Sequence, residues 1–213
     1  MKYKLTYSSL FSYCPQCSTK ESLTAREFMK CLKNNWPFGG KDPSEIVVQT
    51  LLKNVSQWSS IFHGDVVLVP VSRSAPMRKG SLWPPFLLAE EMQKVGLGRV
   101  STLLERVEKV NPSSLSRAKD RPGPIKHFES IRLRRSKVSD VKNVILVDDL
   151  VTRGHTFMGC AWRIEEAYPE ASIHAFAAIR TVSNPDEFRG LFDPVELGTI
   201  IYREDRDDCL RRP

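Results

Sequence analysis

Apolar positions along the chain follow two periods. "PSEIVVQTLLKNVSQW" carries them at helical spacing, with Ser44 placed to cap the helix and Glu45 in its first turn. "GDVVLVPVSRS" and "KNVILVDD" carry near-continuous apolar runs, the first marked off by Pro70 and the second stopping at Asp148 and Asp149. "LLAEEMQKVGLG" reads as a helix ending at glycine. "ASIHAFAAIRTVSN" is a further apolar run ending in Arg180 and Thr181, and "PVELGTIIYRED" supplies one last strand. Residues 99–110 fit a strand or a short helix equally well, and 111–128, rich in Pro, Ser, Arg and Lys, read as a long irregular loop.

Strands apolar on both faces, alternating with helices, predict an α/β domain with a mostly parallel sheet flanked by helices. Ligands of such sheets lie outside the carboxyl ends of the strands. Ser72-Arg73, Asp148-Asp149 and Arg180-Thr181 each follow a strand's carboxyl end, so they are expected to converge.

The first 40 or so residues look different. "YCPQCS", a helix-compatible "LTAREFMKCLKNN" and the breaker "WPFGGKDP" predict an N-terminal appendage over 1–42, ahead of an α/β domain over 43–213. A chain of 213 residues is long enough for one sizeable core. It has no run of eighteen apolar residues and no charged segment leading into an apolar one, so neither a membrane span nor a signal peptide is expected, and the expected location is cytoplasmic. The five cysteines are scattered and odd in number, which favours reduced thiols over a disulfide framework.

Charge narrows the partner. Thirty-two basic residues against 25 acidic give a net +7, which favours an anion, either a phosphorylated small molecule or nucleic acid. "RLRRSK", from Arg132 to Lys137, is the densest cluster, with "SRAKDRPGPIK" just before it. A cluster of this kind suits a solvated surface equally well.

The chemistry concentrates in "VILVDDLVTRGHT". A strand-to-helix turn at Gly154 points backbone N–H groups at an anion, the helix N-terminus adds its positive dipole end, and Thr152 and Thr156 add hydroxyls. That set of donors suits a phosphate. Two carboxylates beside a phosphate repel it unless they face something neutral or cationic. Vicinal ribose hydroxyls together with Mg²⁺ meet that need, which makes ribose 5-phosphate the inferred ligand. A Walker motif requires a Gly-Lys-Ser/Thr ending that is absent, and no G-x-G-x-x-G occurs.

The same stretch resembles the 5-phosphoribosyl-1-pyrophosphate (PRPP) motif of type I phosphoribosyltransferases. The likeness extends over about residues 60–205 to the ComF-like branch, through "VVLVPVSRSAPMRKG" and "LSRAKDRPGPIKHF". It implies a type I phosphoribosyltransferase-like sheet with a small hood, and catalytic Asp148 and Asp149 facing the ribose hydroxyls. Val151, Thr152, Arg153, Gly154, His155 and Thr156 would wrap the 5-phosphate. Ser72 and Arg73 would take the pyrophosphate, and Arg117, Lys119 and Arg121 would lie in a mobile loop that closes over it. Mg²⁺ would arrive with PRPP as co-substrate, and pyrophosphate would be displaced by a nitrogen acceptor that the residues do not specify.

At the variable positions of the turn, His155 is expected to face solvent, and Arg153 to face solvent or the phosphate. His127 and Phe128 are expected to pack in the core. ComF-like proteins usually begin with a four-cysteine zinc ribbon; here Cys14 and Cys17 form a half-site, Cys31 offers a third ligand and no fourth follows, so zinc is not expected. "RPGP" stands where the branch often has "RxxN". Two rival classes stay open. One is a non-catalytic PRPP or nucleotide sensor associated with nucleic acid. The other is a subunit or effector of a larger protein assembly, such as a defence system. Oligomeric state is not legible in the residues; a homodimer is an option by analogy with type I relatives alone.

Overall fold

The computed structural model describes residues 3–54, 57, 60–111, 122–134, 141–192 and 195–213. β1 (Lys4–Tyr13), β2 (Val66–Pro70), β3 (Arg99–Val100), β6 (Asn143–Val151), β7 (Ser172–Thr181), β8 (Glu196–Arg203) and β9 (Asp208–Arg212) form one seven-stranded sheet, ordered β3-β2-β6-β7-β1-β8-β9. From β3 to β1 every neighbour is parallel; β8 and β9 close the far edge antiparallel. β4 (Leu104–Arg106) and β5 (Ile131–Leu133) pair separately. The fold is thus α/β with a mostly parallel sheet flanked by helices.

The pleat sends alternate residues to two cores. Val67, Val69, Val144 and Leu146 meet α5 (His155–Ala167) through Phe157, Met158, Ala161 and Trp162 on one face. Val66, Leu68, Ile145 and Val147 meet α1 (Lys20–Asn34), α2 (Pro43–Lys53) and α3 (Pro84–Lys94) on the other. Burial on both faces explains why β2 and β6 read as unbroken apolar runs.

Three expectations need correction. The first 42 residues are not set apart: β1 lies between β7 and β8, in register from Thr6↔His174 to Tyr13↔Thr181, and its Phe11 is wholly buried. α2 is capped by Asp42, not Ser44. The Asp42 carboxylate accepts from the N–H groups of Ser44 (2.7 Å) and Glu45 (3.2 Å), and Pro43 fills the first helical position. The irregular loop contains a short helix, α4 (Pro124–Glu129), which lies directly on α5. The contact requires Gly159, where a Cβ would come within 2.7 Å of the His127 Cβ and 2.8 Å of the Phe128 nitrogen. Residues 99–110 resolve as β3 and β4, and α3 ends in a glycine turn as predicted, with Gly96 donating to Gln93 and Leu97 to Met92. No helix among the described residues is long and apolar enough to cross a membrane.

Candidate functional site

β2 and β6 run side by side as far as Pro70↔Val147, after which Val71 makes one more bond to the Val147 carbonyl and the chain turns away. β6 does not stop there. It continues through Asp148 and Asp149 to Val151, still paired to β7 through Val151↔Arg180. The acid pair therefore sits inside the strand, at the point where one neighbour leaves, and a cleft of about 790 Å³ opens there. Ser72, Arg73, Asp148, Asp149, Thr152, Thr156 and Thr181 all line it.

Strand alternation starts the two carboxylates from opposite faces, yet their side chains stay in hydrogen-bond contact where the cleft opens. Asp149 follows Ile145 and Val147 toward the α1 face, where Lys33, in the last turn of α1, reaches it at 3.1 Å. Asp148 follows Val144 and Leu146 toward α5 and accepts the Asp149 backbone N–H at 2.9 Å. Burial and the adjacent Asp149 charge push the Asp148 carboxyl well above the usual carboxylate range. Burial works against ionisation at Asp149 as well, but Lys33 overrides it and holds that carboxyl below the usual range.

A smaller recess of about 70 Å³ adjoins the cleft, lined by Asp148, Thr152, Gly154 and Thr156. Gly154 caps α5 with φ +92° and no side-chain cap, so the first N–H groups of the helix are not taken by a capping side chain. A Cβ at Gly154 would lie 2.6 Å from Ile200 Cδ1 on β8. Thr152 and Thr181 share a hydroxyl hydrogen bond of 3.2 Å, which ties the turn to the end of β7.

Val151, Arg153 and His155 line this recess too, but not the larger cleft, and each is tied down by a partner outside the turn. Val151 is buried in the core and its carbonyl accepts from Arg211. Arg153 turns to Asp208 on β9 at 3.0 Å. His155, expected in solvent, is 8% exposed, with Nε2 2.7 Å from Asp208 and Nδ1 3.0 Å from the Pro122 carbonyl. Asp208 also pairs with Arg203, and these partners outweigh its partial burial to pull its carboxyl down to about 2. Asp208 is thus an anchor for the Gly154 turn that sequence reading missed. Arg180 also leaves the cleft: it pairs with Glu196 at 3.1 Å, so only Thr181 of that couple reaches the site. Phe128 packs on Trp162 under the Arg163 guanidinium, as a core residue.

Arg117, Lys119 and Arg121 lie outside the described residues, as does the end of the Arg132–Lys137 cluster. Cys14 and Cys17 are buried beside Val182 at the end of β1, whereas Cys31 contacts the Pro37 carbonyl. Among the described residues no three His, Cys, Asp or Glu side chains gather to hold a metal.

Three cationic groups complete the cleft. Lys33 and Lys30 come from α1, and Arg106, at the end of β4, is 2% exposed. Arg106 donates to the Arg73 carbonyl at 2.8 Å, to the His127 carbonyl at 3.4 Å and to Ser130 Oγ. It thereby ties the loop after β2 to the end of α4. The helix over "LTAREFMKCLKNN" was legible in the sequence, but nothing local said that its Lys33 would face Asp149. No protein-family model matches this chain, and neither does any curated protein.

Proposed function

We propose that the chain is a PRPP-binding phosphoribosyltransferase with a type I phosphoribosyltransferase-like fold, passing the 5-phosphoribosyl group to a nitrogen acceptor and releasing pyrophosphate. One observation carries the reading. An acid pair, a Gly-Thr turn opening a helix, and the Ser72-Arg73 loop border one cleft at the carboxyl ends of parallel strands.

In this reading the turn from Thr152 to Thr156 binds the 5-phosphate with backbone N–H groups and hydroxyls. Asp148 and Asp149 accept from the ribose hydroxyls and orient the sugar. Arg73 and the lysines of α1 meet the charge that gathers on departing pyrophosphate, which stabilises the transition state more than the ground state. The acid pair offers the hard oxygen donors that suit Mg²⁺, although Lys33 already engages Asp149, so Asp148 is the better placed of the two to face it. When bound, Mg²⁺ would neutralise charge on the pyrophosphate.

Titration calorimetry with PRPP, with and without Mg²⁺, tests this. Wild type should bind in the micromolar range, and Asp148→Asn/Asp149→Asn should lose binding. No binding by wild type refutes the reading. Binding without pyrophosphate release across a panel of amine and nucleobase acceptors would move the chain to the sensor class.

A further inference from the structure

Cys14 and Cys17 have no part in the reading above, yet their placement is specific. Pro15 and Gln16 fill the two central positions of a tight turn that follows β1, so the cysteines stand at its first and last positions. A β-turn holds those two Cα atoms within about 7 Å, and a disulfide spans Cα separations of about 4.4–6.8 Å. The thiols are already in hydrogen-bond contact with each other. Both are free, and both are buried against Val182.

Zinc does not account for the pair. A structural zinc takes four ligands, and among the described residues no third His, Cys, Asp or Glu side chain joins these two. Cys31 turns away to the Pro37 carbonyl at 3.5 Å. Two thiols in contact, short of ligands for a metal, are set up for oxidation to each other.

Position gives that oxidation a consequence. Tyr13 and Pro15, on either side of Cys14, line the cleft. The Tyr13 carbonyl accepts from the Val182 N–H at 2.8 Å, next to Thr181, which also lines the cleft. The Arg26 guanidinium donates to the carbonyls of Pro15 (3.2 Å) and Cys17 (3.3 Å), which anchors the turn to α1.

We propose that Cys14 and Cys17 are a reversible oxidation site whose disulfide locks the turn at the rim of the cleft. The oxidant is a small-molecule disulfide of the oxidised-glutathione class. Cys17, 9% exposed where Cys14 is 0%, reacts first: its thiolate attacks one oxidant sulfur, forms a mixed disulfide and expels a thiolate. The Cys14 thiolate then attacks the Cys17 sulfur and expels the second. The protein loses two electrons and two protons, and the oxidant leaves as two thiols. The hydrogen bond to Cys14, and burial after it, push the Cys17 thiol up to about 11, so the rate should climb about tenfold per pH unit above neutrality. The disulfide does not depend on the PRPP reading; its effect on PRPP rests on that reading.

The test equilibrates wild type and Cys17→Ser in glutathione buffers from fully reduced to fully oxidised, followed by alkylation and peptide mapping. Oxidised wild type should keep three of its five thiols, carry a Cys14–Cys17 link and recover all five in dithiothreitol. Cys17→Ser should form no such link. Hydrogen exchange at the Val182 N–H, which reports on the Tyr13 end of the turn, should slow on oxidation of wild type and stay unchanged in Cys17→Ser. PRPP titrated into both forms of wild type should bind the oxidised one about fivefold more tightly, because a locked rim loses less freedom on closing over a ligand. No Cys14–Cys17 link in the most oxidising buffer, or earlier loss of the Cys31, Cys160 or Cys209 thiols, overturns the proposal. Unchanged Val182 exchange with the link mapped overturns the lock, and equal PRPP binding by the two forms overturns the effect on the cleft. No PRPP binding by either form refutes the PRPP reading and leaves the mapped disulfide and the exchange result standing.

Discussion

Gly154 joins the candidate phosphate turn to the far edge of the sheet, and Gly154→Ala measures that join. Its φ of +92° places an L-residue in the left-handed region, at about 1–2 kcal/mol. The new Cβ would also stand 2.6, 2.8 and 2.9 Å from Ile200 Cδ1, Cγ2 and Cγ1. Three close atoms on one branched side chain leave no single rotation that clears them all, and Ile200 is fully buried, so overpacking adds about 1–3 kcal/mol. Stiffening of the unfolded chain returns about 0.4–1 kcal/mol. The net expectation is a loss of about 1–4.5 kcal/mol, read from the urea midpoint at unchanged slope.

Ile200→Ala separates the two causes. In that background the collision disappears while the backbone cost remains, so Gly154→Ala should cost about 1–3 kcal/mol less than it does alone. An undiminished cost would refute the collision. Stability within about 0.5 kcal/mol of wild type for the single variant would refute the whole account.

Other consequences follow from the charges. Lys33→Met leaves the acid pair without its own cation, so PRPP binding should weaken several-fold at low Mg²⁺ and recover in excess Mg²⁺; equal weakening at every Mg²⁺ concentration would count against Lys33 acting through Asp149. Asp208→Asn should cost about 1–3 kcal/mol by urea titration, at the low end for a paired carboxylate because Arg153 and Arg203 are partly exposed. Burial lowers His127 to about 3 and His174 to about 4, against 6.5 when unfolded. The unfolded chain then binds more protons, so the stability they lend is complete above pH 6.5 and is lost as the pH falls through those values. The loss is at most about 1.4 kcal/mol per pH unit for each group, and His174→Gln should remove its share of that slope.

Legibility in the sequence tracked the strength of the local pattern. β2, β6 and β7 are buried on both faces, so their side chains had to be apolar and the runs announced themselves. β1 is equally interior, yet Ser8, Ser9 and Ser12 occupy fully buried positions in it. Those three serines break the apolar run, and the strand was read as part of an appendage. α4 has six residues, too few for helical periodicity, and its place depends on its packing against α5 at Gly159, at least thirty positions later in the chain. The turn from Thr152 to Thr156 was visible as a candidate phosphate cradle. The destinations of Arg153 and His155 were not, because Asp208 reaches them from a strand more than fifty residues later.

The same distinction bears on the cleft. The acid pair was legible because two carboxylates directly after an apolar run contradict folding alone; that the strand carries on through them to Val151 was not. What surrounds it, Lys33 from α1, Ser72 and Arg73 after β2, and Arg106 and His127 at the ends of β4 and α4, comes from four separate segments that meet only when the sheet forms. Donor groups with no partner among the described residues, Ser72 and His127 beside Arg106, line the same cleft as Thr152 and Thr156 of the Gly154 turn and the two carboxylates. Two sets of anion-seeking groups with acceptors alongside match a ligand charged at both ends and rich in hydroxyls in its middle. A single phosphate would leave one set unused, and a neutral nucleoside would leave both. On the proposed reading PRPP would engage both, so titrating pyrophosphate and ribose 5-phosphate separately on one protein addresses the two sets one at a time.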